Sequence, residues 1–417
     1  MHPSSSVALA PKLPLSLLIR IFVPFICGYF LSYLLRVVNT VLAGDLAHDL
    51  DIDAGQLGLL TSVYFITFAI AQLPLGILLD RYGPRRTESL LLLFAALGAG
   101  IFAYASQFNG LLLGRALIGL GVSACLMASF KAFVQWFPTD KLPLINGIFM
   151  MSGGLGVLTA SKPVEFALGF TDWRGVFWIL AACLLVTSAL VWFMVPRRAE
   201  QDPAKPFSYY VEGFVTVFTS KQFWIIAPWA VASQATILST SGLWAGPWLR
   251  DVAHYNRDEV ATTLFVIGLS VILGFGAIGF LAERITRRGY STFQVCAVGM
   301  TCYMILQLLL VFEITNHPTL LWAGIGFFGT SGALIYAALS QMFANELAGR
   351  VNTAFNLLVF LCAFTAQWGI GEIVNVYSEL GAVNYAQHGY QIAFAGLLGF
   401  QIITMLVYLK LKNRLRS

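Results

Sequence analysis

Long continuous runs of apolar residues recur along the whole chain, separated by short polar connections. One crossing of a ~30 Å hydrocarbon core takes about 20 such residues as a helix. The pattern predicts twelve helices, at 17–43, 54–80, 87–106, 110–136, 144–169, 174–195, 223–248, 259–282, 292–312, 319–344, 351–377 and 389–411. A membrane β-barrel would show short alternating segments instead. The longest connection, 196–222, holds Pro196, Pro203, Pro206 and several charges. It divides the chain into a six-helix bundle over 1–195, a central loop, and a second six-helix bundle over 223–417. The expected fold is all-α and membrane-embedded.

Composition sharpens this picture. Hydrophobic residues make up 58% of the 417 and charged residues only 11%, against about 25% charged in soluble domains. A soluble enzyme, a disordered chain and a nucleic-acid binder are excluded. Lys and Arg placement sets the expected orientation. With both termini cytoplasmic, 18 of the 25 fall on the inner side, Lys12, Arg20, Lys141, Arg198, Lys205, Arg350, Arg414 and Arg416 among them. Only Arg174, Arg250 and Arg257 fall outside, and Arg36, Arg115, Lys131 and Lys162 lie within helices. The net charge of +5 is therefore a topology signal. The expected location is a bacterial inner membrane, and the chain is expected to act as a monomer. The six cysteines lie in apolar runs without a CxxC pair and read as small apolar residues. No histidine sits mid-membrane, so no metal site or histidine relay is expected.

An internal repeat is visible. Gly76-Ile-Leu-Leu-Asp80-Arg81-Tyr-Gly-Pro-Arg85-Arg86 aligns with Gly279-Phe-Leu281-Ala-Glu283-Arg284-Ile-Thr-Arg-Arg288 at an offset of 203. Phe137, Asp140, Asn146 and Phe149 align with Phe343, Glu346, Asn352 and Phe355 at an offset of 206. Parallel repeats of six helices build transporters whose halves rock about a central site. The first segment, with Gly83 included, resembles the helix 2–3 signature of the major facilitator superfamily. Arg115, Gly119 and Gly121 resemble that family's helix-four motif, and Asp172-Trp173-Arg174 resembles the W-R found before its sixth helix. The resemblance implies twelve helices in two halves and alternating-access transport. It also implies that Gly76, Asp80, Arg81, Gly83, Arg85 and Arg86 form a conformational motif, and that Arg115 serves proton coupling or a network near helix one. By contrast, Gly274-Phe-Gly276-Ala-Ile-Gly279 fits a dinucleotide fingerprint but lies inside a membrane helix, where small residues serve packing.

Ionisable groups in the bilayer core are usually functional or paired. From Ile21 to Leu35 is only about 22 Å of helix, so helix one must continue past Arg36. Tyr29, Tyr33 and Arg36 then form a polar stripe at i, i+4, i+7. Arg36 either faces a cavity or snorkels to the headgroups. A first-helix Arg followed by Asn is similar to the pattern of organic-anion symporters of the superfamily, where it contacts the substrate carboxylate. Arg115 could instead be satisfied by backbone carbonyls. Lys131 lies about 160° around the helix from Arg115 and either lines the cavity or pairs near the cytoplasmic end. Lys162 and Glu165, at i, i+3, are expected to neutralise one another. Glu165 and Glu372 are the candidate proton carriers, and Glu372 has no obvious helical partner.

The second half offers Gln234, Trp244, Tyr336, Asn356 and Gln367 as neutral polar candidates for the other wall. Cations in one half and neutral polar groups in the other call for an anionic ligand that Arg can grip bidentately. The expectation is a secondary transporter, not an enzyme, moving a small organic anion of carboxylate type, proton-coupled and without cofactor. Its partners are the substrate and the lipid bilayer. The alternatives are a drug or metabolite exporter, which would want a mid-membrane acid, and a non-transporting receptor on the same fold.

Overall fold

The computed structural model describes residues 15–138, 142–197, 207–313, 316–343, 347–378 and 385–412. Lys12, Asp140, Lys141, Arg198, Pro203, Lys205, Pro206, Glu346, Arg414 and Arg416 lie outside the described residues. The first six crossings are built from α1 (Leu15–Val37), α2 (Asn39–Leu50), α3 (Ala54–Tyr104), α4 (Phe108–Gly121), α5 (Cys125–Trp136), α6 (Leu142–Thr159), α7 (Lys162–Ala167) and α8 (Trp173–Met194). The central connection carries α9 (Phe207–Phe218). The last six crossings are α10 (Lys221–Ser239) with α11 (Ala245–Asp251), α12 (Arg257–Thr286), α13 (Thr292–Val311), α14 (Pro318–Gly329) with α15 (Leu334–Ser340), α16 (Ala348–Tyr377) and α17 (Gln387–Leu411). Among the described residues, ten helical stretches are long and apolar enough to cross a membrane. The 51-residue one contains two crossings and the shorter helix 145–159 adds another, which makes twelve. Both ends of the bundle chain, α1's start and α17's finish, then share one face, here called the termini end.

Local sequence explains the boundaries. α3 changes direction at Gly83, whose φ of 74° is the left-handed conformation that only glycine adopts freely. Pro84 follows at once and starts the next crossing. At the opposite, far end, capping boxes open α3 (Asp53 with Gln56) and α12 (Asn256 with Glu259). Asp172 caps α8 through the Gly175 amide, and its neighbours tie that start to other helices. Trp173 Nε1 donates to Asp49 Oδ2 at 3.0 Å, while Arg174 donates to the carbonyls of Ala103 and Ala105. His48 and Trp173 both donate to Asp49 and hold its carboxyl below the usual aspartate value.

Packing follows membrane rules. Large apolar side chains such as Leu93, Phe94, Leu97, Ile179 and Val186 are exposed on the outside, as lipid contact requires. Gly119 and Gly121 press α4 onto α3: a Cβ would strike the Tyr64 carbonyl at the first and Ala95 at the second. Gly274 plays the same part between α12 and α14, against the Phe327 carbonyl, so the dinucleotide pattern is a packing feature. Helix one does run past Arg36, but it breaks at Val38 before continuing as α2. The central connection is not wholly a loop, because α9 occupies its second half.

Candidate functional site

A cavity of about 580 Å³ lies between the first and last six crossings. α1, α5 and α6 wall one side, and α10, α12, α14 and α16 wall the other. It runs from Thr40 and Gly242, beneath the far end, to Gly349 and Asn352 at the start of α16. Arg36, Tyr29, Tyr33, Gln234, Tyr336 and Asn356, all singled out in the sequence, meet here.

Among the described residues Arg36 is the one cation in this lining, and it is 9% exposed. Aromatic faces surround it: its guanidinium carbon lies 4.4 Å from the Tyr33 ring centre, 5.5 Å from Phe68 and 5.4 Å from Phe360. Cation–π contacts of this kind contribute roughly 0.5–2 kcal/mol each. Among the described residues no carboxylate pairs with Arg36, and its Nε has no hydrogen-bond partner. The site thus holds a fixed positive charge, beside the Tyr64 side chain, that no carboxylate neutralises among the described residues.

The opposite wall supplies donors. Tyr336 donates to Asn356 Oδ1 at 2.8 Å, and Ser340 donates to Asn352 Oδ1 at 3.0 Å. Each amide oxygen is thereby engaged, which turns the amide nitrogens toward other acceptors. Gln234 is partly committed, through Nε2 to the Gly329 carbonyl at 3.3 Å. Tyr29 stacks on Phe149 at 4.3 Å and donates to Met150 Sδ. The arrangement suits a small ligand with an anionic end at Arg36 and oxygen acceptors near Asn352 and Asn356.

Three expected wall residues lie elsewhere. Lys131 Nζ donates to Asp80 Oδ1 and to the Leu79 carbonyl, both at 2.6 Å, which ties α5 to α3 at the termini end. Its pairing wins over a cavity role because the acid lies within reach of its long stem. Trp244 donates to the Gln367 carbonyl at 2.9 Å, and both side chains are fully buried behind the wall, where Gly58 lets α3 approach. The expectation placed both on the cavity wall, and the structure instead puts them in helix–helix contact.

Arg115 does not line the cavity. It is fully buried and donates to the carbonyls of Leu35 at 2.7 Å and Arg36 at 3.3 Å. Those carbonyls stand at the joint between α1 and α2, so Arg115 fixes the backbone that carries Arg36. In the helix 2–3 motif, Arg85 Nε donates to the Trp192 carbonyl at 2.7 Å and Arg81 covers Tyr82, while Gly76 and Arg86 are exposed.

The far end is closed by ion pairs between the two sets of six crossings. Arg257 of α12 grips Asp45 through two nitrogens, at 3.0 and 2.8 Å, and Glu165 through Nε at 2.6 Å. Lys162 reaches Asp258 at 2.8 Å and Thr262 at 2.7 Å. Lys162 and Glu165 therefore do not neutralise each other; partners on α12 are closer because α7 faces it. Glu372 does have a helical partner, since Trp368 donates to it at 2.7 Å, and its carboxylate packs against Gly55. Thr40 adds a bond to the Gly242 carbonyl at 2.6 Å. Sequence reasoning missed Asn352, Phe68 and Phe360. Asn352 was visible only as a repeat partner of Asn146, and the two Phe residues look like ordinary core positions.

The chain matches the Major Facilitator Superfamily over residues 25–367. A nitrate/nitrite transporter of Picosynechococcus sp. is 37% identical over 151 residues, 36% of this chain and 28% of that protein. A probable L-galactonate transporter of Escherichia coli is 25% identical over 382 residues, spanning 83% of this chain and 80% of the relative. A hexuronate transporter of Bacillus subtilis is 23% identical over 370 residues, with 83% and 84% covered. Among solved structures, a bacterial homologue of the human lysosomal transporter Spinster, inward-facing and unoccupied, aligns with a TM-score of 0.75 at 18% identity, covering 93% of this chain and 95% of that one. With motif, fold and a match over most of the chain in agreement, the chain belongs to the Major Facilitator Superfamily, a family of transporters.

Proposed function

We propose that the protein moves a small, oxygen-rich organic anion across the inner membrane by alternating access, coupled to protons. The observation that carries this reading is Arg36, a buried guanidinium in a 580 Å³ cavity with no carboxylate partner among the described residues. Burying an unpaired charge is costly, and a ligand carboxylate relieves that cost with a bidentate, charge-assisted pair. The amide nitrogens of Asn352 and Asn356 then serve hydroxyl or carbonyl oxygens on the rest of the ligand. Relatives named for galactonate and hexuronate over most of the chain support this class.

In the state described, the far-end ion pairs are closed and the cavity extends toward the termini end. Ligand binding at Arg36 lowers the charge penalty of closing the termini end, and the Arg257 cluster then parts to open the other side. Glu165 and Asp45 become hydrated when Arg257 leaves them, so Glu165 acts in the gate. Lys131, Asp80 and the neighbouring arginines brace the first six crossings so that they move as a unit.

A second reading is nitrate transport, favoured by the 37% identity to the nitrate/nitrite transporter. Uptake into proteoliposomes of radiolabelled galactonate, glucuronate, galacturonate and nitrate distinguishes the two. Saturable uptake of a sugar acid, absent with Arg36→Ala, supports the proposal. Uptake of nitrate alone replaces it with the second reading, and transport of none of the acids by an active preparation overturns it.

A further inference from the structure

The first crossing of the second helical pair hides an acid that the site described above does not use. Glu88 lies on α3 just past the Gly83–Pro84 turn, and it is fully buried. Among the described residues neither carboxylate oxygen receives a hydrogen bond from a nitrogen or hydroxyl, and the carboxyl's polar contact is the weakly donating Cys125 thiol. It points beneath α1, where a Cβ on Gly28 would meet its Oε1 at 2.5 Å and the Cys125 Sγ at 3.7 Å. From Pro84 to Glu88 is about 6 Å of helix, and the carboxyl meets α1 at Gly28, about 20 Å of helix past Leu15.

The polar neighbours do not supply a positive charge. The Cys125 thiol of α5 faces the carboxyl, and α1 presents only backbone at Gly28. On α3 itself, Thr87 donates to the Leu78 carbonyl and Ser89 to the Arg86 carbonyl. Ser188 of α8 donates to the Ser89 carbonyl. Arg85 is turned away to Trp192. Arg36 lies eight residues beyond Gly28 on α1, about 12 Å along the axis. An ionised carboxylate in these surroundings would be desolvated without compensation, whereas the neutral acid has only the cost of an unfilled hydrogen bond.

A single helix wall separates Glu88 from the substrate cavity. Tyr29 and Ser32, one and four residues past Gly28, line that cavity, as does Leu126 beside Cys125. A glycine at 28 leaves the wall thin where the carboxyl sits. We propose that Glu88 is a proton-binding site of the protein: it carries a proton in the conformation described here and releases it when movement of α1 against α5 admits water. In the release step the Oε–H bond breaks, the proton passes to a cavity water, and the carboxylate remains until the reverse step reloads it. Its use in driving transport rests on the proton-coupled reading given above; its protonation does not.

The test has an arm for each. Infrared difference spectra of the purified protein in lipid, between acidic and alkaline pH, report protonated carboxyl groups without any substrate. A protonated-carboxyl band at neutral pH that disappears in Glu88→Gln and shifts in Cys125→Ser is expected; a band unchanged in Glu88→Gln overturns the proposal. Because glutamine mimics the neutral acid, Glu88→Gln is expected to unfold at the wild-type temperature, and a large drop shows instead that the charged form is needed. In proteoliposomes Glu88→Gln is expected to lose accumulation driven by a pH gradient while keeping substrate-for-substrate exchange. Full gradient-driven accumulation by Glu88→Gln refutes its coupling role. Absence of uptake by the wild type defeats the transport reading and leaves the infrared band to decide Glu88.

Discussion

Replacing Arg257 with alanine removes three hydrogen bonds of 2.6 to 3.0 Å that hold α12 to Asp45 and Glu165. Arg257 is 54% exposed and its partners 28% and 19%, so water screens the pairs substantially. Exposed ion pairs contribute about 0.2–1 kcal/mol each, and the two-nitrogen grip on Asp45 places this cluster toward the upper part of that range. Two pairs then sum to about 1–2 kcal/mol, which shifts a two-state equilibrium roughly 5–30-fold. The expected result is that much growth in the far-end-open population. Spin labels at His48 and His317, both exposed far-end positions on opposite sides of the gate, report it as a longer inter-label distance by pulsed electron resonance. Raising salt to 1 M, where the screening length falls to ~3 Å, is expected to move the wild type the same way. Asp45→Asn added to Arg257→Ala should have little further effect, since the shared bond is already lost. A wild-type distance distribution in Arg257→Ala, in low salt, refutes the gate.

Other substitutions separate support from binding. Arg115→Leu removes two charge-assisted bonds to the α1–α2 joint, worth about 1.5–3 kcal/mol each; a clear fall in thermal unfolding temperature is expected, and an unchanged one shows that Arg115 is not a structural brace. Asp80→Asn takes the counter-charge from Lys131 and should slow exchange while leaving substrate affinity near wild type; weakened binding with unchanged turnover contradicts it. Asn352→Leu and Asn356→Leu each remove one neutral donor, so affinity for a hydroxylated acid should fall about two- to tenfold and affinity for its deoxy analogue should not; equal losses for both ligands count against the donor role.

The twelve crossings could be read from hydropathy because a helix in lipid must be apolar over its whole length, and buried or lipid-facing residues look alike in that count. The same degeneracy hid the detail of the site. Arg36 stood out because a long polar side chain inside an apolar run is rare, and its stripe with Tyr29 and Tyr33 survives in the structure as cavity lining. Phe68 and Phe360 carry no such mark, although they cage that arginine. Lys162 and Glu165 were read as neighbours on their own helix, yet their partners lie on α12, and of the two readings left open for Lys131 the structure has the pairing, with Asp80. Helical spacing shows who shares a face, but packing decides whom that face meets. Glu88 was overlooked because it falls near a predicted helix start, where an acid is ordinarily solvated. The turn at Gly83 and the bare backbone at Gly28 bury it instead.

The central claim is that Arg36 receives the anionic group of the transported molecule. Titration calorimetry on the purified protein tests it directly, comparing the best-transported sugar acid with its neutral carboxamide in wild type, Arg36→Lys and Arg36→Ala. A charge-assisted bond of about 1.5–3 kcal/mol predicts that wild type prefers the acid over the amide by roughly 10- to 150-fold. The preference should shrink in Arg36→Lys, which keeps the charge without the fork, and vanish in Arg36→Ala. If Arg36→Ala binds both ligands as wild type does and keeps the full preference for the acid, the anion binds elsewhere and the account is wrong.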